Sequence, residues 1–228
     1  MRLAHTLVAT TLLAAAGTAS AANLVVNGSF ESTDVSGKSY FASHVTGWSG
    51  GSNLTFVDFP GTADDGSYLS VYGPFPTTSP VGGNFVEADG DPSYSGVISQ
   101  SISGLTAGKS YTVSFYQAAG QQVGFTGPTT EQWSVSLGES TQLSSLYSLP
   151  QGAVGGWQKQ TMTFVAGSTN ELLSFLAVGT PGGAPPISFL DGVSLTASVP
   201  EPATWALMVS GFGLVGGVLR RRSIATTA

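Results

Sequence analysis

The sequence predicts an all-β fold, an antiparallel β-sandwich, on three observations. Apolar and polar residues alternate with a period of two over several short runs. Turn-forming residues separate those runs at regular intervals. No long helix-forming segment and no alternation of strands with helices occurs between the two chain ends. Taken in order, Tyr111, Val113 and Phe115 share one face of a strand, with Thr112 and Ser114 on the other. Trp133, Val135 and Leu137 alternate with Ser134 and Ser136. Met162 and Phe164 fall together in the run from Gln160, and Leu173, Phe175 and Ala177 repeat the pattern, as do Val193 and Leu195. Between them stand Gly104 and Gly108, Gly138-Glu139, Gly155-Gly156, Gly167-Ser168, Pro181-Gly182-Gly183 and Pro185-Pro186, all residues that favour turns. Ser32 to Asp91 is richer in Gly, Pro and Asp and is expected to carry long loops between fewer strands.

The two ends read as addresses. Met1 to Ala21 has a charge at Arg2, an apolar stretch from Leu7 to Ala16, and a small-x-small close at Ala19-Ser20-Ala21. This is the pattern of a signal peptide cut by signal peptidase, which puts the mature start at Ala22. At the other end, Pro200-Glu201-Pro202 is followed by an uncharged run, Ala203 to Leu219, and by Arg220, Arg221 and Arg222. The run is long enough for a short transmembrane helix, since about 17 residues suffice. The arginines are expected to stay cytoplasmic and everything before Pro200 to face outward. Triplet, helix and basic stop in this order closely resemble the PEP-CTERM sorting signal of Gram-negative bacteria. The resemblance implies cleavage near the triplet by a membrane protease, exosortase. The chain would then pass through an inner-membrane intermediate to the cell surface or the extracellular space.

The exported part, 22–199, is long enough for one domain with a full core. Twelve of the chain's 13 acids fall in it, but of the seven bases only Lys38, Lys109 and Lys159 do, leaving a net charge of −9. Such a balance disfavours nucleic acid and other polyanions and favours hard cations. The chain has no cysteine, which excludes disulfides and zinc–thiolate sites.

Three further segments carry a second resemblance. They are Asn23-Leu-Val-Val-Asn-Gly-Ser-Phe-Glu with Gly47-Trp48, the stretch from Gly104-Leu-Thr-Ala-Gly to Phe115, and Phe189-Leu-Asp-Gly-Val-Ser-Leu. They are similar to the opening, middle and closing strands of jelly-roll carbohydrate-binding modules of the galactose-binding-like type. The resemblance implies a structural calcium ion between Glu31 and Asp191, with Asn27 and the carbonyl of Gly28 nearby in sequence. Calcium takes several oxygens at about 2.3–2.6 Å, and carboxylates on first and last strands that pair can supply them. The plainer expectation is that Glu31 caps a turn and Asp191 accepts backbone amides.

Candidate ligand contacts follow from chemistry. Sugar rings present apolar C–H faces to aromatic side chains, and acids and amides bond their hydroxyls. Trp48, Tyr72 and Tyr94 lie in loop-rich context, as do Tyr68, Phe75 and Trp157; core burial is the expectation favoured for Trp48 and Trp157. Glu87 and Asp89, in the acidic stretch Glu87 to Asp91, offer a polar lip or a second cation site, although a solvated turn is the simpler reading. Gln117 is a possible hydrogen-bonder. Catalysis has little support, because His44 is the one histidine outside the signal segment and no Gly-x-Ser-x-Gly elbow surrounds a serine. The leading expectation is a non-catalytic surface or matrix protein that binds exopolysaccharide. The alternatives are a structural biofilm or envelope component and, last, a glycoside hydrolase.

Overall fold

The computed structural model describes residues 21–198 together with Gly211 and Phe212. Apart from Ala21, Gly211 and Phe212, the expected signal peptide, transmembrane helix, triplet and arginine stop lie outside the described residues. Among the described residues, no helix is long and apolar enough to cross a membrane.

Among the described residues, twelve strands form two antiparallel sheets. They are β1 (Ser39–Tyr40), β2 (Ser49–Gly50), β3 (Thr55–Asp58), β4 (Phe85–Asp89), β5 (Ile98–Ser103), β6 (Ser110–Gln121), β7 (Thr129–Leu137), β8 (Ser140–Leu143), β9 (Tyr147–Leu149), β10 (Gly155–Val165), β11 (Asn170–Thr180) and β12 (Pro186–Ala197). The first sheet runs β1-β3-β4-β12-β6-β10. The second runs β2-β5-β11-β7-β8, with β9 also pairing β7. The expected all-β sandwich is present.

The main core lies between the sheets. Val57, Val86, Val113, Phe115, Leu190 and Leu195 from the first sheet meet Ile98, Trp133, Val135, Leu137, Leu173 and Phe175 from the second. The alternating runs of the sequence supply the long strands, and their apolar faces are the ones buried, because a pleated strand sends successive side chains to opposite faces. Trp133 is fixed further by its indole N–H, which donates to the Phe189 carbonyl across the sandwich at 3.0 Å.

A second apolar layer covers the other face of the first sheet. Phe56, Phe85, Ala118, Ile187 and Phe189 point away from the main core. They are roofed by Ala63, Leu69, Val71 and Phe75 from the long connection 59–84. The loop-rich half of the sequence is therefore a structural lid, and β3 and β4 are buried on both faces. The opening stretch expected as a strand is instead an irregular segment. It reaches β12 through isolated bonds, Leu24 N–H to the Leu195 carbonyl and Val193 N–H to the Gly28 carbonyl, both 2.8 Å.

Candidate functional site

A bulge in β12 decides where Asp191 points. The register with β6 slips between Asp191 and Ser194, and Gly192 between them has φ 61°. Such a bulge re-aims a side chain. Asp191 then faces away from the main core while Val193 still enters it. Gly28 packs against this corner so closely that a Cβ there would lie 1.9 Å from the Val193 oxygen, so only glycine fits.

Asp191 is fully buried. Its carboxylate accepts a bond from the Ser79 hydroxyl and another from the Gly192 N–H at 2.6 Å. Burial pushes its carboxyl up to about 7, against the help of those two donors, and the Glu31 carboxylate nearby raises it further. Glu31 is exposed, and its Oε1 accepts the Asn84 N–H at 2.7 Å. A Cβ on Gly83 would stand 1.8 Å from that same oxygen. The two acids, 160 positions apart in the sequence, lie near enough for the Glu31 charge to raise Asp191, and among the described residues no basic side chain pairs with Asp191. Asn27 is differently engaged. Its amide oxygen accepts the Ser32 N–H and its amide nitrogen donates to the carbonyls of Ser32 and Thr46. Its side chain closes the 27–46 loop, with its amide oxygen already accepting from Ser32. The carbonyl of Gly28 already accepts from Val193. Among the described residues, no group of three or more His, Cys, Asp or Glu side chains gathers in metal-binding fashion. A cation here would rest on two carboxylates with hydroxyl, carbonyl or water oxygens.

The expected ligand contacts do not form one surface. Trp48 sits in the main core beside Phe30 and Phe175, ring centroids 5.3 and 6.2 Å away, and its N–H donates to the Asn27 carbonyl. It has no free face for a sugar. Gln117 points between the sheets and donates to the Ser145 carbonyl at 2.7 Å. Glu87 and Asp89 belong to β4 and are wholly buried, so neither a solvated turn nor a polar lip describes them. Asp89 accepts the Asp91 N–H at 2.8 Å. Asp91 in turn ties its own turn to the 181–184 loop, accepting from Ser93 and Gly183. Tyr94 is 53% exposed at that turn. Tyr72 is half-buried and its hydroxyl donates to the Phe125 carbonyl at 2.9 Å. Trp157 is half-buried against Phe75, Phe85 and Phe189. His44 is at the surface, with Asp34 at 2.7 Å.

The exposed aromatic grouping is elsewhere. Tyr40, 51% exposed, stacks on Phe56 with centroids 4.9 Å apart. Tyr68, 61% exposed, meets Phe56 edge-on at 5.6 Å. Tyr40 comes from β1 and Tyr68 from the 59–84 lid, so two exposed rings pack on one buried ring at the edge of the first sheet. Asp65, on the same lid, is exposed, and its carboxyl is held below the usual range by bonds from Ser67. Tyr40 was missed in the sequence because a two-residue strand shows no periodicity.

A pocket of about 570 Å³ lies at the far end of β7, lined by Gly138, Glu139, Gly167, Glu171 and Leu172 among others. No aromatic side chain lines it. Glu171 is occupied in accepting the N–H groups of Gly167 and Ser168 at 2.7 and 3.0 Å. Volume alone does not make it the better candidate, since stacking faces are lacking.

Comparison with known proteins agrees on the address. Residues 198–222 match the PEP-CTERM protein-sorting motif. The chain carries that motif, which marks an exported protein. Halomucin of Haloquadratum walsbyi is 31% identical over 207 residues, which cover 86% of this chain; the chain spans about 2% of that relative's length. The backbone is similar to that of several solved β-sandwich domains. One is TmCBM61 in complex with β-1,4-galactotriose, with TM-score 0.45 and 16% identity over 78% of this chain and 99% of that one. Another is the CBM22-1 xylan-binding domain of Paenibacillus barcinonensis Xyn10C, with TM-score 0.39 and 14% identity over 79% and 97%. A third is the K1 cleaved adhesin domain of Lys-gingipain from Porphyromonas gingivalis W83, with TM-score 0.42 and 11% identity over 71% and 98%.

Proposed function

We propose that this is an exported surface or matrix protein that binds extracellular polysaccharide without turning it over. In this reading the mature chain begins at Ala22, and exosortase cleaves near Pro200-Glu201-Pro202. The observation that carries glycan binding is the Tyr40–Phe56–Tyr68 grouping. Large flat rings held in fixed positions at a surface, each exposed one carrying its own hydroxyl and with the exposed Asp65 on the same lid, suit the C–H face and hydroxyl rim of a sugar. Binding by so few contacts is weak, on the order of micromolar to millimolar. Many copies on one polymer compensate, because avidity rises without new contacts. The test is incubation of the protein with neutral and acidic exopolysaccharides, following retention on the polymer and release of reducing ends together. Retention without release is expected. Release that disappears on replacing a pair of carboxylates would make the protein a hydrolase, and no retention on any polymer would leave a structural role.

Calcium at Glu31 and Asp191 belongs to the same reading. A buried carboxylate that feels a second one, with no basic residue paired to it among the described residues, suits a divalent cation. Bound calcium would pin the opening segment to β12 and to the lid through Ser79 and Asn84. Ligand that binds only the folded state raises stability by about 2.7 kcal/mol at a hundredfold excess over the dissociation constant. Melting with calcium should therefore exceed melting with chelator, and Asp191→Asn should erase the difference. Superimposed melts of the unaltered protein would remove the site.

A further inference from the structure

Beneath Phe56, on the outer face of the first sheet, Lys38, Asp58 and Glu87 meet out of reach of solvent. The pairing of Ser39 with Val57 sets Lys38 directly across from Asp58 on the neighbouring strand. Glu87 lies one strand further in, opposite Phe56 and diagonal to Asp58. Lys38 Nζ is 2.5 Å from Glu87 Oε2 and 3.4 Å from Asp58 Oδ1, with the side chains 8%, 0% and 0% exposed respectively. Beyond one another, these charged atoms meet no hydrogen-bond partner among the described residues. The Phe56 ring closes one side, its centroid 5.6 Å from Nζ.

Two acids face one base, so the group is left with an unneutralised charge unless one carboxyl holds a proton. Burial pushes Glu87 well above its ordinary range and Asp58 to about 6. For Lys38, burial works against the charged form, but attraction to Glu87 and Asp58 prevails and its ammonium is held more firmly than usual. A buried ion cluster of this kind is costly to desolvate, and apolar groups of the same volume are often as stable. No outside substrate reaches it. A lysine amine and two carboxyls confined together have one reaction open to them, which is with each other.

We propose that Lys38 and Asp58 condense to an intramolecular amide, with Glu87 as the proton relay. Glu87, which holds the cluster's proton, gives it to one Asp58 oxygen and takes one from Nζ in its place, while Nζ forms a bond to the Asp58 side-chain carbonyl carbon. The C–O bond to that oxygen breaks, and the oxygen leaves as water with the proton from Glu87 and a second from Nζ. An ammonium and a carboxylate thus become one neutral amide and one water, with no redox change and no co-reactant. Glu87 is the relay because its Oε2, 2.5 Å from Nζ, is at hydrogen-bond distance and placed to exchange a proton with it, and Asp58, whose Oδ1 stands 3.4 Å from Nζ directly across the strand pair, is left as the electrophile. Holding the two groups on adjacent strands supplies an effective concentration of about 10⁵–10⁸ M, which offsets the bias of bulk water against amide formation. The bond would fasten β1, a two-residue edge strand, to β3 in a chain that has no cysteine for a disulfide. It is independent of whether the domain binds a glycan.

The experiment is peptide mapping of the mature full-length protein recovered from cells, denatured and digested with trypsin. Expected are resistance to cleavage after Lys38 and a fragment containing Lys38 and Asp58 that is lighter by one water. A second protease should reduce it to a branched peptide joined between those two residues. Cleavage after Lys38 with fragments of unmodified mass would overturn the proposal, and a branch at Glu87 would overturn the assignment of the electrophile. In a Glu87→Gln protein, cross-linking should slow about a hundredfold or more, the usual worth of a positioned acid–base group; unchanged cross-linking would remove the relay. Mapping of the unaltered protein decides on the bond itself, whether or not the variant folds.

Discussion

Glu131 shows how a single buried acid shapes stability. It lies on β7 facing the sandwich interior, fully buried, and neither carboxylate oxygen finds a hydrogen-bond partner. Burial pushes its carboxyl up to about 7. Between pH about 4.5 and 7, the folded state therefore holds a proton that the unfolded state has released. Stability attributable to this residue is full below that window and falls as pH rises through it, by about 3 kcal/mol in all. Glu131→Gln removes the titration and keeps the shape. Urea unfolding at pH 5 and pH 8 should show the variant gaining on the parent by roughly that amount at the higher pH. Other buried acids give both proteins the same background slope, so an unchanged difference between the two pH values would contradict the account. The period of two through Trp133, Val135 and Leu137 places Glu131 on the inward face when extended back by one step, but nothing in the sequence shows that it lies there without a basic partner.

At the scale of elements, the long strands β6, β7, β10, β11 and β12 were legible because each is amphipathic, with one face in the core and one outward. β3 and β4 were not. The 59–84 lid covers their outer face, so both faces are buried, and strands buried on both faces lose the alternation that identifies them. Glu87 and Asp89 then read as a turn when they are strand residues held inside by Lys38 and by the Asp91 turn. Phe75 is the lid's main anchor, packed on Phe189 with centroids 4.2 Å apart and on Phe85 and Trp157 at 6.2 Å. Phe75→Ala should cost about 3–5 kcal/mol, the usual loss for a buried phenylalanine. It should also open the 59–84 segment to limited proteolysis before the rest of the domain. A stability loss with the segment still protected would show that the lid is held by something other than this aromatic contact.

For the whole molecule, charge counting overstated the acidity of the surface. Six of the twelve acids in 22–199 are buried, and five of them, Asp58, Glu87, Asp89, Glu131 and Asp191, have carboxyls pushed up by burial, so they add less charge to the surface than counting implies. The address was the most legible part of the chain, because the tail needs only composition and order to be recognised and no tertiary contact. Mass spectrometry of the exported product should find a C-terminus near Glu201, and an intact Arg220–Arg222 tail on that product would contradict exosortase processing. The binding surface was the least legible part. Tyr40 and Tyr68 are 28 positions apart and meet only because β1 and the lid both pack on Phe56. The claim that this surface holds polysaccharide is tested most directly by titrating the polymer that the unaltered protein retains against a Tyr40→Ala/Tyr68→Ala protein. The account predicts an affinity loss of about tenfold or more, the equivalent of 1.4 kcal/mol, with the melting transition still cooperative. Equal affinity in the two proteins, or a loss seen instead on replacing Tyr72 and Tyr94, would contradict it.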